Sequence, residues 1–168
     1  FAVNLPLLYP NADEHIQSII DLKVPVVFTS AGNPKTWTNL LKSNGIIVVH
    51  VVSSVKFALK AQQAGVDAIV AEGFEAGGHN GIEETTTFCL IPDVAKAIEI
   101  PLIAAGGIMD GKGMLSAMVL GADAVQMGTR FVASKESSAH VNFKNKVVGL
   151  TEGETKLTLK EITPVRLI

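Results

Sequence analysis

Only one cysteine, Cys89, occurs in 168 residues, which excludes an internal disulfide and fits a reducing compartment. No basic residue beside it in sequence would lower its pKa, so Cys89 is expected to be a small buried apolar residue rather than a reactive thiol. Aromatic residues are scarce at 5%, and neither sign of charge dominates: fourteen Lys and Arg against sixteen Asp and Glu leave −2. Without a Lys/Arg block the chain lacks the electrostatic footprint that a nucleic-acid backbone demands. No uninterrupted apolar run approaches the roughly 18 residues of a membrane-spanning helix, and no basic-then-apolar leader is present. The expectation is a soluble, cytoplasmic chain that binds neither nucleic acid nor membrane, and no metal site is expected.

What is abundant is aliphatic. Hydrophobic residues make up 48% of the chain and charged residues 18%, which excludes a disordered chain and points to one core rich in Val, Ile, Leu and Ala. Short apolar runs recur at Phe1–Leu5, Val24–Thr29, Ile46–Val52, Ala68–Ala71, Ile100–Ala104 and Ala124–Met127. They do not alternate with polar residues, as expected of parallel strands covered on both faces. Helical segments lie between them: Val55 to Ala64 after a Ser54 cap, Ile91 to Ile98 with Pro92 in its first turn, and Lys112 to Leu120 before Gly121. Most runs start a little over 20 residues apart, the period of repeated strand-helix units, with one longer interval before Ile100.

Two internal echoes reinforce the repeat. Ala64-Gly-Val-Asp-Ala-Ile-Val-Ala-Glu-Gly73 matches Leu120-Gly-Ala-Asp-Ala-Val-Gln-Met-Gly-Thr129, and Lys23-Val-Pro-Val-Val matches Glu99-Ile-Pro-Leu-Ile. Such repetition favours a closed (β/α)8 barrel over an open sheet. Residues 1–133 read as the barrel portion. Residues 134–168 read as a C-terminal extension, an exposed helix over Ser134–Val148 and then an irregular segment.

In a parallel barrel the chemistry sits just beyond the C-terminal strand ends. The longest such loop, Ala71-Glu-Gly-Phe-Glu-Ala-Gly-Gly-His-Asn-Gly81, has four glycines that let backbone approach a ligand and leave His79 at a permissive, mobile point. His79 there is a candidate proton-exchanging group, with a surface histidine at a loop tip as the alternative. Glu72 at a strand end is expected to face the barrel mouth, or else to be a salt-bridged rim acid. Gly106-Gly107 and Gly128-Thr129 follow the last two strands, where exposed N–H groups make the phosphate site common in such barrels. If these are the seventh and eighth strands, the six runs are strands three to eight, and the first two strand-helix units precede Phe1.

The run Glu72-Gly-Phe-Glu-Ala-Gly-Gly-His-Asn-Gly81, with Ala105-Gly-Gly-Ile108 and Gly121-Ala-Asp-Ala-Val-Gln-Met-Gly-Thr-Arg-Phe131, resembles the FMN-dependent nitronate monooxygenases and enoyl-[acyl-carrier-protein] reductases II, which share one TIM-barrel fold. The resemblance implies a non-covalent FMN with its phosphate on Gly106, Gly107, Gly128 and Thr129. Asn4, Glu72, Gly77 and Gly78 would lie near the flavin and His79 over its reacting face. It implies either NADH- or NADPH-dependent reduction of a 2-enoyl thioester, or oxidation of a nitronate or nitroalkane by O2. Phe131 to Lys144 looks more like the reductases, and Lys135, Lys144 and Lys146 could then meet an acidic carrier protein. His140 is expected to be structural. Open sheet edges in so short a barrel would invite pairing with a second copy, so a homodimer is an expectation, and a non-catalytic barrel fragment is the remaining reading. A nucleotide dehydrogenase barrel using Cys89 as nucleophile fits poorly, because Cys89 precedes a helix rather than lying in a glycine-rich loop.

Overall fold

Six strands form where the apolar runs lie: β1 (Ala2–Pro6), β2 (Val26–Ser30), β3 (Ile47–Val52), β4 (Ala68–Glu72), β6 (Leu102–Ala105) and β7 (Ala124–Gln126). The computed structural model describes residues 1–167. The six strands pair in the order β1-β2-β3-β4-β6-β7, parallel at every step, and form a half-barrel. Five helices connect them: α1 (Ala12–Asp21), α2 (Thr38–Ser43), α3 (Val55–Gln63), α4 (Thr87–Ala97) and α5 (Gly111–Val119). α3 and α5 begin at side-chain caps, where Ser54 accepts from the Phe57 N–H and Asp110 from the Gly113 N–H. Both stop where Gly65 and Gly121 take left-handed conformations, φ +85° and +108°. α1 and α2 have no side-chain cap bond, although Asn11 stands before α1 with Asp13 and Glu14 in its first turn.

The repeated motifs turn out to be one device used twice. Asp67 and Asp123, from the two Gly-x-Asp-Ala turns, each accept a hydrogen bond from the start of the neighbouring strand, from Val48 N and Leu102 N, both at 2.8 Å. Their own N–H groups donate to the carbonyls of the same residues, again at 2.8 Å. The two prolines of the second echo each bond a neighbouring strand, on opposite sides: Pro25 O accepts from Ile47 N on the following strand and Pro101 O from Ile69 N on the preceding one. Each echo therefore pins the register of adjacent parallel strands, where a one-residue slip would exchange their faces.

The faces differ. Leu5, Val27, Val48, Ile69 and Leu102 point to the helices and join Ile16, Leu41 and Val94 in the main core. At about 1.5–3 kcal/mol per buried aliphatic side chain, this face carries most of the hydrophobic stabilisation. The other face holds only a small cluster around Val49, Val70 and Ala105.

Four expectations need correction. α4 starts at Thr87, not Ile91, and Pro92 lies inside it; Glu75 accepts from both Thr87 N and Thr87 Oγ1 at 2.9 Å, which caps the helix a turn earlier. Cys89 is exposed in that first turn rather than buried. Residues 150–167 are not irregular: β8 (Lys156–Thr158) and β9 (Val165–Leu167) form an antiparallel hairpin, and β9 also pairs with β5 (Gly78–His79) in a second sheet. Two short helices precede the hairpin, α6 (Thr129–Val132) and α7 (Val141–Gly149). α7 begins later than the expected Ser134 because His140 caps it, Nδ1 accepting from Asn142 N at 3.2 Å. Lys144 on α7 donates to the carbonyls of Ser134, Lys135 and Ser137, which commits it to folding the preceding loop.

Candidate active site

A cavity of about 1000 Å³ opens beside the sheet, lined by residues of β1, β2, β3, β4 and β7 and of the loops after them. Of the residues singled out in the sequence, Asn4, Glu72, Gly77 and His79 line it, whereas Gly78, Gly106, Gly107, Gly128 and Thr129 do not. Asn4 on β1 and Glu72 on β4 occupy the cavity-facing positions of their strands, and among the described residues neither side chain has a hydrogen-bond or ion-pair partner in the protein. Glu72 is therefore no salt-bridged rim acid. Burial pushes its carboxyl up to about 7, so near neutral pH it holds a proton for a large fraction of the time and can donate a hydrogen bond as well as accept one.

His79 is exposed, but it is not at a mobile point. It lies in β5, opposite Val165 of β9, and the neighbouring Asn80 N–H donates to Pro164 O at 2.8 Å. The Asn80 side chain folds back onto the loop, its Nδ2 donating to Ala76 O and Gly78 O at 3.0 Å each, while its buried Oδ1 has no partner among the described residues. On the opposite side Phe74 N donates to Thr85 O, and Glu75 holds the start of α4. A loop with this many glycines is costly to order, and here both flanks are fastened.

Gly106 has a steric reason to be glycine. Its φ is +103°, and a Cβ there would lie 2.8 Å from Gly73 O and Thr87 Oγ1. Gly128 is different: its φ is −97° and a Cβ would meet nothing within 4 Å, so open space adjoins it. Among the described residues the backbone N–H groups of Gly106, Gly107, Gly128 and Thr129 donate to no protein acceptor. Two adjacent strand ends thus present four unpaired N–H donors, with the Thr129 hydroxyl beside them, a donor set suited to a phosphate dianion.

Further residues complete the site. Gln126 on β7 and Thr163 before β9 line the cavity. Arg166 on β9 donates from Nε and Nη2 to Phe74 O at 3.3 and 3.0 Å, and its guanidinium lies 5.4 Å from the Phe74 ring centroid. His50 on β3 is buried, with Nδ1 2.7 Å from Thr29 Oγ1, and burial followed by the nearby Lys60 charge brings it down to about 4. His50 falls within the third apolar run, Ile46–Val52, and Gln126 within the last, whereas the Val165–Leu167 strand carried no period at all. Cys89 is not part of the cavity wall.

The nitronate monooxygenase family model matches residues 2–168. A probable nitronate monooxygenase of Staphylococcus aureus strain JH9 is 40% identical over 86% of this chain and 43% of its own. The structure of FabK from Thermotoga maritima is similar at a TM-score of 0.96 and 48% identity, covering 100% of this chain and 54% of that one. A nitroalkane oxidase from Streptomyces ansochromogenes is similar at a TM-score of 0.82 and 32% identity, over 92% of this chain and 48% of the other. The chain spans about half the length of the relatives it matches. With the glycine-histidine loop and both glycine-bearing strand ends in one half-barrel mouth, the chain belongs to the nitronate monooxygenase family, the FMN-dependent TIM-barrel oxidoreductases that also include FabK.

Proposed function

We propose that the protein carrying this chain reduces 2-enoyl thioesters of an acyl carrier protein, with NADH or NADPH as electron donor and FMN as cofactor. The observation that carries the proposal is the fastened His79, set on one cavity wall with unpartnered Asn4 and Glu72. In this reading the six strands are the third to eighth of a (β/α)8 barrel, and the whole protein supplies the other two.

The donor set fits the cofactor. Gly106, Gly107, Gly128 and Thr129 would hold the FMN phosphate, and Asn4, Glu72, Gly77 and Gly78 would lie beside its ring system. Bound there, FMN supplies hydride-transfer chemistry that no side chain can provide. The net reaction adds a hydride to the β-carbon and a proton to the α-carbon of the thioester. His79 delivers that proton, because it is the only imidazole on the cavity-side loop and its backbone is held on both flanks. Glu72, protonated up to about pH 7, donates a hydrogen bond into the cavity instead of adding a second negative charge near the phosphate. Lys135 and Lys146, next to the loop that Lys144 folds, would face the acidic carrier.

A second reading, oxidation of a nitronate by O2, is supported by the names of the Staphylococcus aureus relatives and by the similarity to the nitroalkane oxidase. One assay separates them. Full-length protein loaded with FMN is expected to oxidise NADH faster when a 2-enoyl thioester is added. Oxygen uptake on a nitronate without NADH would decide for the second reading, and a full-length protein that binds no FMN would overturn both.

A further inference from the structure

Strand β9 of the C-terminal hairpin lies more than 80 residues from the glycine-histidine loop in sequence, yet it supplies most of what holds the loop's far side. β9 pairs Arg166 with Gly78 and Val165 with His79. Pro164 O takes the Asn80 N–H, and Arg166 places two guanidinium N–H groups on Phe74 O across a separation of 92 residues while lying over the Phe74 ring. Phe74 is two residues from Glu72 and five from His79. A second donor–acceptor contact, Arg166 Nη1 to Thr155 Oγ1 at 3.4 Å, ties the guanidinium back to its own hairpin. A planar fork on one carbonyl, anchored at its other end and stacked on an aromatic face, fixes direction as well as distance, which a lysine cannot do.

We infer that Arg166 is a positioning residue for His79, acting through the Phe74 carbonyl and the β9 ladder without touching substrate. The inference rests on the proposed role of His79 in proton delivery, but its structural half is independent of any chemistry. The glycines between Phe74 and His79 leave that stretch many backbone conformations, and Arg166 removes them from the outside.

The test uses Arg166→Ala and Arg166→Lys in the full-length protein. Hydrogen exchange comes first and needs no turnover: in R166A, peptides covering residues 74–81 are expected to exchange faster, with β3 and β4 unchanged. In the FMN-loaded enzyme, R166A is expected to lose kcat by about 10- to 100-fold, as for a misplacement of the reacting group by about 1 Å. KM and flavin content should stay close to wild type, the pH–rate profile should change, and R166K should fall between the two. Wild-type exchange over residues 74–81 in R166A overturns the inference, as does an unchanged kcat and pH profile in a variant of an active enzyme. If R166A does not fold, the same readouts on R166K decide, with wild-type behaviour again overturning it. A wild-type protein that turns over neither an enoyl thioester nor a nitronate defeats the proposed function, while the exchange experiment still decides whether Arg166 holds the loop.

Discussion

The two faces of the six-stranded sheet are built from alternate residues of the same strands and do opposite work. On β4, Ile69 and Ala71 are fully buried against the helices, while Glu72 at the strand end looks into the cavity. On β1, Leu5 joins the core and Asn4 lines the cavity. The helix-facing side holds almost all of the large buried aliphatic residues. The cavity side keeps three well-buried residues, all of them small or medium-sized, and leaves room for polar groups. The difference teaches that stability and chemistry are separable here, because the strand period of two sends them to opposite sides.

The sharpest test of that separation replaces one residue from each side. His79→Ala is expected to lower turnover by about 10²- to 10⁴-fold, the usual contribution of a positioned acid or base. Its Tm should barely move, since the side chain is exposed. Ile69→Ala should do the reverse, costing about 2–5 kcal/mol in denaturant unfolding while the folded fraction keeps its activity. An Ile69 variant with wild-type stability, or a His79 variant that unfolds, would break the comparison.

Glu72 tests it from the cavity side by pH. Its carboxyl titrates at 4.5 when unfolded and at about 7 in the native state. Below the lower value both states carry the proton and no difference arises. As pH rises from 4.5 towards 7 the unfolded chain releases the proton and the native state retains it, so wild-type stability falls across that window. Glu72→Gln removes the loss: its advantage over wild type is expected to be near zero at about pH 4 and to reach about 3 kcal/mol at about pH 8. Urea unfolding of the flavin-free full-length protein at the two pH values measures it, and a pH-independent difference would show that Glu72 is solvated.

How far the sequence revealed these faces follows from the range of the interactions involved. Strands β1 to β4, β6 and β7 were legible because their apolar runs and their Pro and Gly-x-Asp punctuation are local, and both echoes proved to be register clamps. The cavity residues Asn4, Glu72, Gly77 and His79 were legible as residues just past or at strand ends. α1 and α2 were not: α2 starts after Trp37, no cap residue, and Asn11 before α1 makes no side-chain cap bond. The start of α4 was misplaced because its cap, Glu75, comes from the preceding loop, twelve residues away from Thr87. Cys89 was misjudged because the shift brought it into an exposed first turn. β8 and β9 are three residues each, too short to show a period, and their partner β5 is a two-residue strand in a glycine loop. Arg166 escaped notice for the same reason, since its acceptor is 92 residues away.

One pair crosses the division between the faces. Thr29 and His50 are polar, yet both are buried, at 2% and 4% exposure, on adjacent strands β2 and β3. They satisfy each other: Thr29 Oγ1 lies 2.7 Å from His50 Nδ1 and 3.3 Å from Val49 O. The hydroxyl can donate to only one of these, so donation to Val49 O goes with a proton on Nδ1, and donation to Nδ1 with a proton on Nε2. Thr29→Val keeps the shape and removes the hydroxyl, stranding one imidazole nitrogen, and should cost about 1–2 kcal/mol. Replacing both residues with apolar ones, Thr29→Val with His50→Leu, should recover most of that loss, because no polar atom is then left unpaired. The double variant should also lose a pH dependence. His50 titrates at 6.5 unfolded and at about 4 in the native state, so wild-type stability falls as pH drops from 6.5 towards 4, when the unfolded chain takes up a proton that the native state refuses. Unfolding curves at the two ends of that window should diverge for wild type and converge for the double variant. Equal pH slopes would mean that His50 is protonated in place, and that the helix face admits charge.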